Sequence, residues 1–281
     1  MPNSASWTLR GSSFEWGQRT YLMGVLNVTP DSFSDGGEFN TPAAALAQAQ
    51  QLVAAGADII DVGGQSTRPG AAEISLEEEL ERVLSVLQVL RQEIPVPISV
   101  DTTRAGVARA AVEAGADLIN DISGGTFDPD MLPTVAGLGI PLVLMHIRGT
   151  PQTMQKLTGY QDLIGEIYQF LESQISVAIA CGIDRNRIII DPGIGFAKNY
   201  DQNLEIFRRL PAFRSLNCPI LVGPSRKSFI GRILNQPDPK LRIWGTAAVC
   251  CAAIAGGADI LRVHDVKDMQ DVCRVADALC R

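Results

Sequence analysis

The chain lacks the features of several large protein classes. Its 281 residues carry 24 basic and 31 acidic side chains, and the net charge of -7 leaves no general basic face for nucleic acid. No apolar stretch approaches the roughly 18 residues of a membrane span. The start, MPNSASWTLR, has no basic segment followed by an apolar core, so we expect no signal peptide and no membrane partner. An anionic small-molecule substrate stays possible, because a few local cations can dominate one pocket.

Common metal and cofactor motifs are also missing. The six cysteines (181, 218, 250, 251, 273 and 280) form no CxxC pair, and His146 and His264 alone cannot make a zinc cluster. Buried free thiols are a better interpretation than disulfides, which favours a cytoplasmic enzyme. GxGxxG is absent, PGIGFAK (192–198) is not a P-loop, and there is no Ser/His/Asp or Cys/His constellation.

Short apolar runs recur along the chain, and each ends at a polar or glycine residue. Continuous apolar runs bounded by turn residues are typical of strands buried on both faces, as in parallel sheets. We predict strands near 20–26, 58–62, 97–101, 117–120, 141–145, 187–191, 218–222 and 259–262. Helices are predicted near 41–55, 75–93, 104–114, 129–138, 160–181, 200–210, 240–256 and 265–279. This alternation predicts an α/β fold, a (β/α)8 TIM barrel whose functional groups gather at the C-terminal ends of its strands.

Three segments resemble one another: AGADIIDVGG (55–64), AGADLINDISGG (114–125) and AGGADILRVHDV (255–266). Their recurrence near both ends favours one domain over residues 1–281, with an N-terminal β-hairpin (1–18) closing the barrel floor. The alternative is that the similarity reflects only the sequence of helix end, glycine and strand start that is common to any α/β fold. Loops 27–40, 63–74 and 146–159 and the stretch 223–239 are longer than a turn requires, which is typical of binding loops.

Polar residues at the strand ends and in these loops predict the chemistry. Asp101, Asn120 and Asp191 suit a flat heterocycle with amino and ring N–H groups, such as a pterin, although each could instead cap a helix. Arg262 and His264 after the last strand suit an oxyanion or diphosphate.

The loops add further candidates. Arg68 can bind an anion in bidentate fashion, and the Gly-rich setting of Lys227 favours a site residue; a surface position is the alternative for both. Asn27 could bind Mg²⁺ with water and substrate phosphates. The loop 24–37, with Asp35, is interpreted as a lid rather than a capped turn.

These motifs together closely resemble the dihydropteroate synthase family over nearly the whole chain. The matching segments are MGVLNVTPDSFSDGG (23–37), DVGGQSTRPG (61–70), DTT (101–103), INDISGG (119–125), LMH (144–146), DPGIGFAK (191–198), GPSRKSFIG (223–231) and RVHDV (262–266). The first and seventh are highly specific. The second often has Glu where this chain has Gln65, a position on which no predicted contact depends.

The resemblance implies a transferase of folate synthesis and a sulfonamide target. It would condense (7,8-dihydropterin-6-yl)methyl diphosphate with p-aminobenzoate to 7,8-dihydropteroate and diphosphate, the pterin C–O bond ionising before the aniline nitrogen attacks. The implied pterin-binding residues are Asp101, Asn120, Ile122, Met145, Asp191, Gly223 and Lys227. Those implied for the diphosphate are Asn27 with Mg²⁺, Thr67, Arg68, Arg262 and His264. Those for p-aminobenzoate are Phe33, Thr67, Pro69, Phe196, Lys227 and Ser228, and the catalytic residues are Asp35, Lys227 and Asn27.

Two other functions fit part of the pattern. A methyltetrahydrofolate-dependent methyltransferase would share the Asp/Asn pterin contacts but need no diphosphate site, and a non-catalytic pterin-binding homologue could lose Asn27, Asp35 or Lys227. The resemblance also implies a homodimer formed through barrel helices, with which the apolar stretch AAVCCAAIAGG (247–257) is compatible. Asp61 and His146 fit the strand-end pattern, but no substrate role is assigned to either.

Overall fold

A computed structural model describes residues 6–28 and 42–281. Two short antiparallel strands, β1 (Ser6–Leu9) and β2 (Ser12–Glu15), form the predicted hairpin. The turn between them places Gly11 at a φ of 77°, a left-handed conformation that glycine adopts without steric cost.

In the described part of the chain, eight parallel strands form one sheet. They are β3 (Tyr21–Asn27), β4 (Ile59–Gly63), β5 (Ile98–Asp101), β6 (Leu118–Asp121), β7 (Leu142–Met145), β8 (Ile188–Asp191), β9 (Leu221–Val222) and β10 (Ile260–Val263). They pair in the order β8-β7-β6-β5-β4-β3-β10-β9. A parallel bridge between Ile190 and Ile220 brings β8 beside β9 and closes the barrel, so the predicted (β/α)8 fold is confirmed.

The helices surround this barrel. They are α1 (Pro42–Ala54), α2 (Leu76–Glu93), α3 (Ala105–Glu113), α4 (Met131–Leu138), α5 (Leu163–Ala180), α6 (Tyr200–Arg209), α7 (Ser228–Leu234), α8 (Ile243–Ala255) and α9 (Val266–Cys280). Local sequence sets several starts: the Ser75 hydroxyl accepts the N–H of Glu78, and Asn199 and Gln202 form a capping box. No helix among the described residues is long and apolar enough to cross a lipid bilayer.

Helix α7 was not predicted. It lies in the stretch 223–239, whose Gly and Pro content indicates a loop, and it ends at Leu234, which Asn235 follows with a left-handed φ of 51°. Phe229 and Ile230 are nevertheless buried, so tertiary packing stabilises a helix that is too short for local propensity to sustain.

Apolar side chains fill the N-terminal end of the barrel. Trp7 and Phe14 of the hairpin pack against inward-facing strand residues Tyr21, Met23, Ile59, Leu118, Val143, Ile189, Leu221 and Ile260. Trp7 and Trp16 meet edge to face, with ring centroids 5.0 Å apart. The hairpin therefore closes this floor, and polar strand residues are left to the opposite end.

The three similar segments, which share a Gly-Ala-Asp sequence, also act at the floor. Asp58, Asp117 and Asp259 each lie just before a strand, and each carboxylate accepts a backbone N–H of the preceding strand segment. The donors are the backbone nitrogens of Leu22 at 2.8 Å, Ile98 at 2.9 Å and Ile220 at 3.0 Å. The aspartate of each repeat thus joins the start of its own strand to the preceding strand segment.

Candidate active site

Four side chains from four strands meet at the C-terminal mouth of the barrel. Asp61, Asn120 and Arg262 are the third residues of β4, β6 and β10, and Asp101 ends β5. Nε of Arg262 donates to Oδ2 of Asp61 at 2.6 Å, and its Nη2 donates to Oδ2 of Asp101 at 2.9 Å. Nδ2 of Asn120 donates to the same Asp61 oxygen at 3.2 Å. We call these four residues the mouth network.

The charges of the mouth network are strongly coupled. Burial raises the pKa of Asp101 to about 7, although the Arg262 guanidinium opposes this shift. Burial acts to lower the pKa of Arg262, but the carboxylates of Asp61 and Asp101 outweigh it and raise that pKa. Arg262 is therefore a permanent cation at the mouth.

Asp191 and Lys227 form a second charged region, on β8 and in the loop after β9. Oδ1 of Asp191 accepts the N–H of Gly193 at 2.7 Å, and Nζ of Lys227 lies 4.5 Å from the centre of the Phe196 ring. Burial raises the pKa of Asp191 to about 6 and lowers that of Lys227 to about 8, each opposed by the partner's charge. Between these values a ligand meets both a carboxylate and an ammonium group.

An apolar cluster lies among these polar groups. It comprises Ile122, Met145, Ile147, Met154 and Ala197, with Phe196 packed against it. Ile122 follows the Asn120-Asp121 strand end, and Met145 ends β7. Such a surface suits one face of a flat heterocycle whose edge reaches the carboxylates.

The loops after β9 and β10 join at His264. Its Nδ1 lies 3.0 Å from the Ser225 hydroxyl, which also accepts its backbone N–H at 3.2 Å. Arg226 donates to both oxygens of Asp265, at 3.0 and 2.6 Å. Burial and the charges of Arg226 and Arg262 lower the pKa of His264 to about 3. His264 is therefore neutral at pH 7, and the positive charge for an anion comes from arginine.

Glycines keep the backbone open beside these groups. A Cβ at Gly63 would lie 3.4 Å from Oδ1 of the half-buried Asn27 and 3.9 Å from Oδ2 of Asp101. A Cβ at Gly223 would lie 3.9 Å from the Cβ of Arg262. The absence of a side chain at Gly63 thus leaves space beside the side-chain oxygens of Asn27 and Asp101.

The other predicted residues in the described part of the chain lie in loops or, for Ser228, at the start of α7. Thr67 lines a cavity with Asp101 and Ile122. Its loop is fastened to the loop after β7, because the N–H of Gly70 donates to the carbonyl of Pro151 at 3.1 Å. Arg68, Pro69 and Ser228 are exposed, whereas Phe33 and Asp35 lie outside the described residues.

Comparison with known proteins decides the family. Residues 23–264 match the family described as "Pterin binding enzyme". A curated dihydropteroate synthase from Synechocystis is 62% identical over 268 residues, covering 95% of this chain and 93% of that protein. The chain belongs to the dihydropteroate synthase family.

Solved dihydropteroate synthases have the same fold. The Yersinia pestis enzyme, determined with a sulfonamide drug complex, aligns with a TM-score of 0.92 at 43% identity, covering 98% of both chains. The Xanthomonas albilineans enzyme with 4-aminobenzoic acid also aligns with a TM-score of 0.92, at 41% identity, covering 99% of this chain and 98% of that one. Dihydropteroate synthases are transferases of folate synthesis, and this chain is such a transferase.

Within this family site, the alternative of helix caps is wrong for all three strand-end residues. Helix α3, which follows Asp101, begins after Arg104 without a side-chain cap bond, and α4 begins after Asp130, also without one. Helix α6, which follows Asp191, is capped by Asn199. The side chains of Asp101, Asn120 and Asp191 are thus not used to start helices.

One buried contact behind this dihydropteroate synthase site, between His146 and Lys198, was not predicted from sequence. Nζ of Lys198 lies 2.8 Å from Nδ1 of His146 and donates to its carbonyl at 3.2 Å. Burial lowers the pKa of Lys198 far below its usual value and that of His146 to about 2. The available signal was Lys198, the basic residue of the DPGIGFAK segment. His146 fits the strand-end pattern, but nothing in the sequence pairs it with a lysine 52 residues later.

Proposed function

We propose that the mouth network, the Asp191–Lys227 pair and the His264 loop together perform the dihydropteroate synthase reaction. The chain joins the aniline nitrogen of p-aminobenzoate to the methylene carbon of (7,8-dihydropterin-6-yl)methyl diphosphate. The carbon–oxygen bond breaks, its electron pair leaves with diphosphate, a carbon–nitrogen bond forms, and the nitrogen releases a proton. The observation that carries this proposal is that Asp101, Asn120 and Asp191 reach one mouth beside Arg262.

Pterin binding follows from the polar and apolar groups. The carboxylates of Asp101 and Asp191 accept hydrogen bonds from the amino and ring N–H groups, while Asn120 offers both donor and acceptor. Ile122 and Met145 pack on the ring, with Gly223 leaving room beside Arg262. Lys227 donates to the ring, and its charge is available below its pKa of about 8.

Bond cleavage needs stabilisation of the departing diphosphate. Arg262 and Arg68 supply positive charge, and the neutral His264 and Thr67 supply hydrogen bonds. The conjugated pterin spreads the positive charge left on its methylene, and water must be excluded until p-aminobenzoate attacks. Because ionisation comes first, no strong nucleophile is required.

Magnesium fits this site as a substrate-borne ion rather than a caged one. Among residues 6–28 and 42–281, no group of three or more His, Cys, Asp or Glu side chains could hold a metal ion. Asn27 presents one amide oxygen over Gly63, whose missing Cβ leaves space beside it. Mg²⁺ often takes one or two protein ligands with waters and phosphate oxygens, and it would neutralise the diphosphate charge.

The p-aminobenzoate subsite lies at the outer edge of the mouth. Phe196, whose ring centre lies 4.5 Å from Nζ of Lys227, supplies an aromatic face. The exposed Pro69 lies in the loop after β4, and the exposed Ser228 begins α7. Thr67 serves both this subsite and the diphosphate. Phe33 belongs to the same subsite on the basis of sequence alone.

Pyrophosphate release tests the reaction. The chain is incubated with the pterin diphosphate and Mg²⁺, with and without p-aminobenzoate, and dihydropteroate is measured beside pyrophosphate. Equal amounts of both products support the proposal. A methyltransferase or a non-catalytic pterin-binding homologue would release no pyrophosphate, and that result would refute it.

Asp35 is proposed as the residue that stabilises the cationic pterin. Asp35→Ala should lower kcat far more than pterin affinity, because the negative charge is needed only when the methylene becomes cationic. Steady-state kinetics and calorimetric titration with the pterin measure the two quantities. Unchanged kcat would remove Asp35 from the mechanism.

We also propose a homodimer in the cytoplasm. Large apolar side chains are exposed on and beside α7, α8 and α9, including Trp244 at 81% and Leu279 at 80% exposure. Within the predicted stretch 247–257, Cys250 and Ile254 instead face the core. Light scattering on the native protein should give twice the mass of one chain, and the double variant Trp244→Glu/Leu279→Glu should give the mass of one chain. A monomeric native protein would refute the dimer.

The six free cysteines support a reducing compartment.

A further inference from the structure

Asp61 is the one member of the mouth network without a predicted role. Its side chain is fully buried, with 0% exposure, at the third position of β4. Oδ2 accepts from both Arg262 and Asn120, at 2.6 and 3.2 Å. Its other oxygen, Oδ1, has no hydrogen-bond partner among the described residues. A buried carboxylate with one unpaired oxygen is a poor choice for stability, since apolar residues of similar size are often as stable or more so.

The repeat explains how these partners meet. In each of the three Gly-Ala-Asp segments a floor aspartate precedes a mouth residue by three positions: Asp58 precedes Asp61, Asp117 precedes Asn120, and Asp259 precedes Arg262. The same strand position therefore supplies the carboxylate, the amide and the guanidinium. Closure of the barrel brings Arg262 to Asp61 across 201 residues of sequence.

We propose that Asp61 is a positioning residue that orients Arg262 toward the diphosphate and Asn120 toward the pterin ring. One carboxylate oxygen fixes both groups, so the two halves of the first substrate are bound in register. Arg262 has a long flexible side chain, and without Asp61 its remaining hydrogen bond within residues 6–28 and 42–281 is to Asp101, a pterin ligand. This inference rests on the proposed function, because it assumes the substrate contacts of Arg262 and Asn120.

A double-mutant cycle tests the inference on the full chain. Asp61→Asn keeps the shape and one acceptor oxygen but removes the charge that holds Arg262. It should lower the affinities for inorganic pyrophosphate and for 6-hydroxymethyl-7,8-dihydropterin by about tenfold each in calorimetric titrations. The KM for the pterin diphosphate should rise, while the KM for p-aminobenzoate stays unchanged. In an Arg262→Met background, Asp61→Asn should lower the affinity for pyrophosphate by less than about twofold.

The matched control is Asp259→Asn, which removes a buried carboxylate at the floor end of the same strand as Arg262. It should lower the unfolding temperature and leave both affinities unchanged. If Arg262→Met does not fold, Arg262→Lys replaces it, since a single ammonium does not reproduce the two-pronged contact with Asp61 and Asp101.

Three results would overturn the inference. Asp61→Asn could lower the unfolding temperature without changing either affinity, which is a structural role alone. Asp61→Asn could lower the pyrophosphate affinity equally in the native chain and in Arg262→Met, which would mean that Asp61 does not act through Arg262. Finally, Arg262→Met could leave pyrophosphate affinity unchanged, which would also refute the proposed contact between Arg262 and the diphosphate. In the first two outcomes Arg262→Met still weakens pyrophosphate binding, so failure of the inference can be told apart from failure of the proposed function.

Discussion

Aspartates lie at both ends of the barrel, and their partners differ. At the floor, Asp58, Asp117 and Asp259 each accept a backbone N–H group from the preceding strand segment, and Asp58 and Asp117 also pair with arginines. At the mouth, Asp61 and Asp101 accept from the Arg262 side chain instead. Backbone partners are present in every folded state of the barrel, whereas a side-chain partner can also bind a ligand. The same residue type thus holds the fold at one end and serves chemistry at the other.

Removal of the hairpin tryptophan should have the largest effect on stability. Trp7→Ala opens a cavity in the apolar floor and should lower the free energy of unfolding by about 3–5 kcal/mol, as for other buried aromatic truncations. Denaturant unfolding measures this loss. At a temperature where the variant is folded, kcat/KM should match the native value; a large kinetic defect would mean that the floor also shapes the mouth.

The pH dependence of catalysis sharpens the comparison at the mouth. Asp101 and Asp191 must be ionised and Lys227 protonated, so kcat/KM should fall about tenfold per pH unit between pH 7 and pH 6 and again above pH 8. Below pH 6 both carboxylates gain protons, and the fall should steepen to about a hundredfold per pH unit. Lys227→Arg keeps its charge and should remove the alkaline limb near pH 8. If that limb persists in the variant, another group causes it.

The smallest effect is expected from a floor ion pair at the surface. Arg19 is half exposed and its Nη2 lies 2.6 Å from Oδ1 of Asp58. Arg19→Ala should cost less than about 1 kcal/mol of unfolding free energy, because water screens such pairs. Thermal unfolding at low and high salt measures it. A loss of several kcal/mol would show that Asp58 depends on this arginine rather than on the N–H of Leu22.

Sequence predicted the framework of the barrel but not every partner within it. Apolar runs and glycine turns located all eight strands, because buried strands and their stops are local patterns. Helix α7 was missed since packing of Phe229 and Ile230, not local sequence, stabilises it. The role of Asp61 was also missed, because its partners lie 59 and 201 residues away and meet it only when the sheet closes.

The central claim is that mouth aspartates serve catalysis and floor aspartates serve folding. Asp101→Asn and Asp117→Asn, measured side by side for kcat/KM and unfolding temperature, test it most directly. Asp101→Asn should lower kcat/KM by about a hundredfold, the cost of losing a charged hydrogen bond to substrate, with little change in unfolding temperature. Asp117→Asn weakens the contacts to Arg91 and the N–H of Ile98 and should lower the unfolding temperature, with kcat/KM within about twofold of native. Equal kinetic losses in the two variants would contradict the claim.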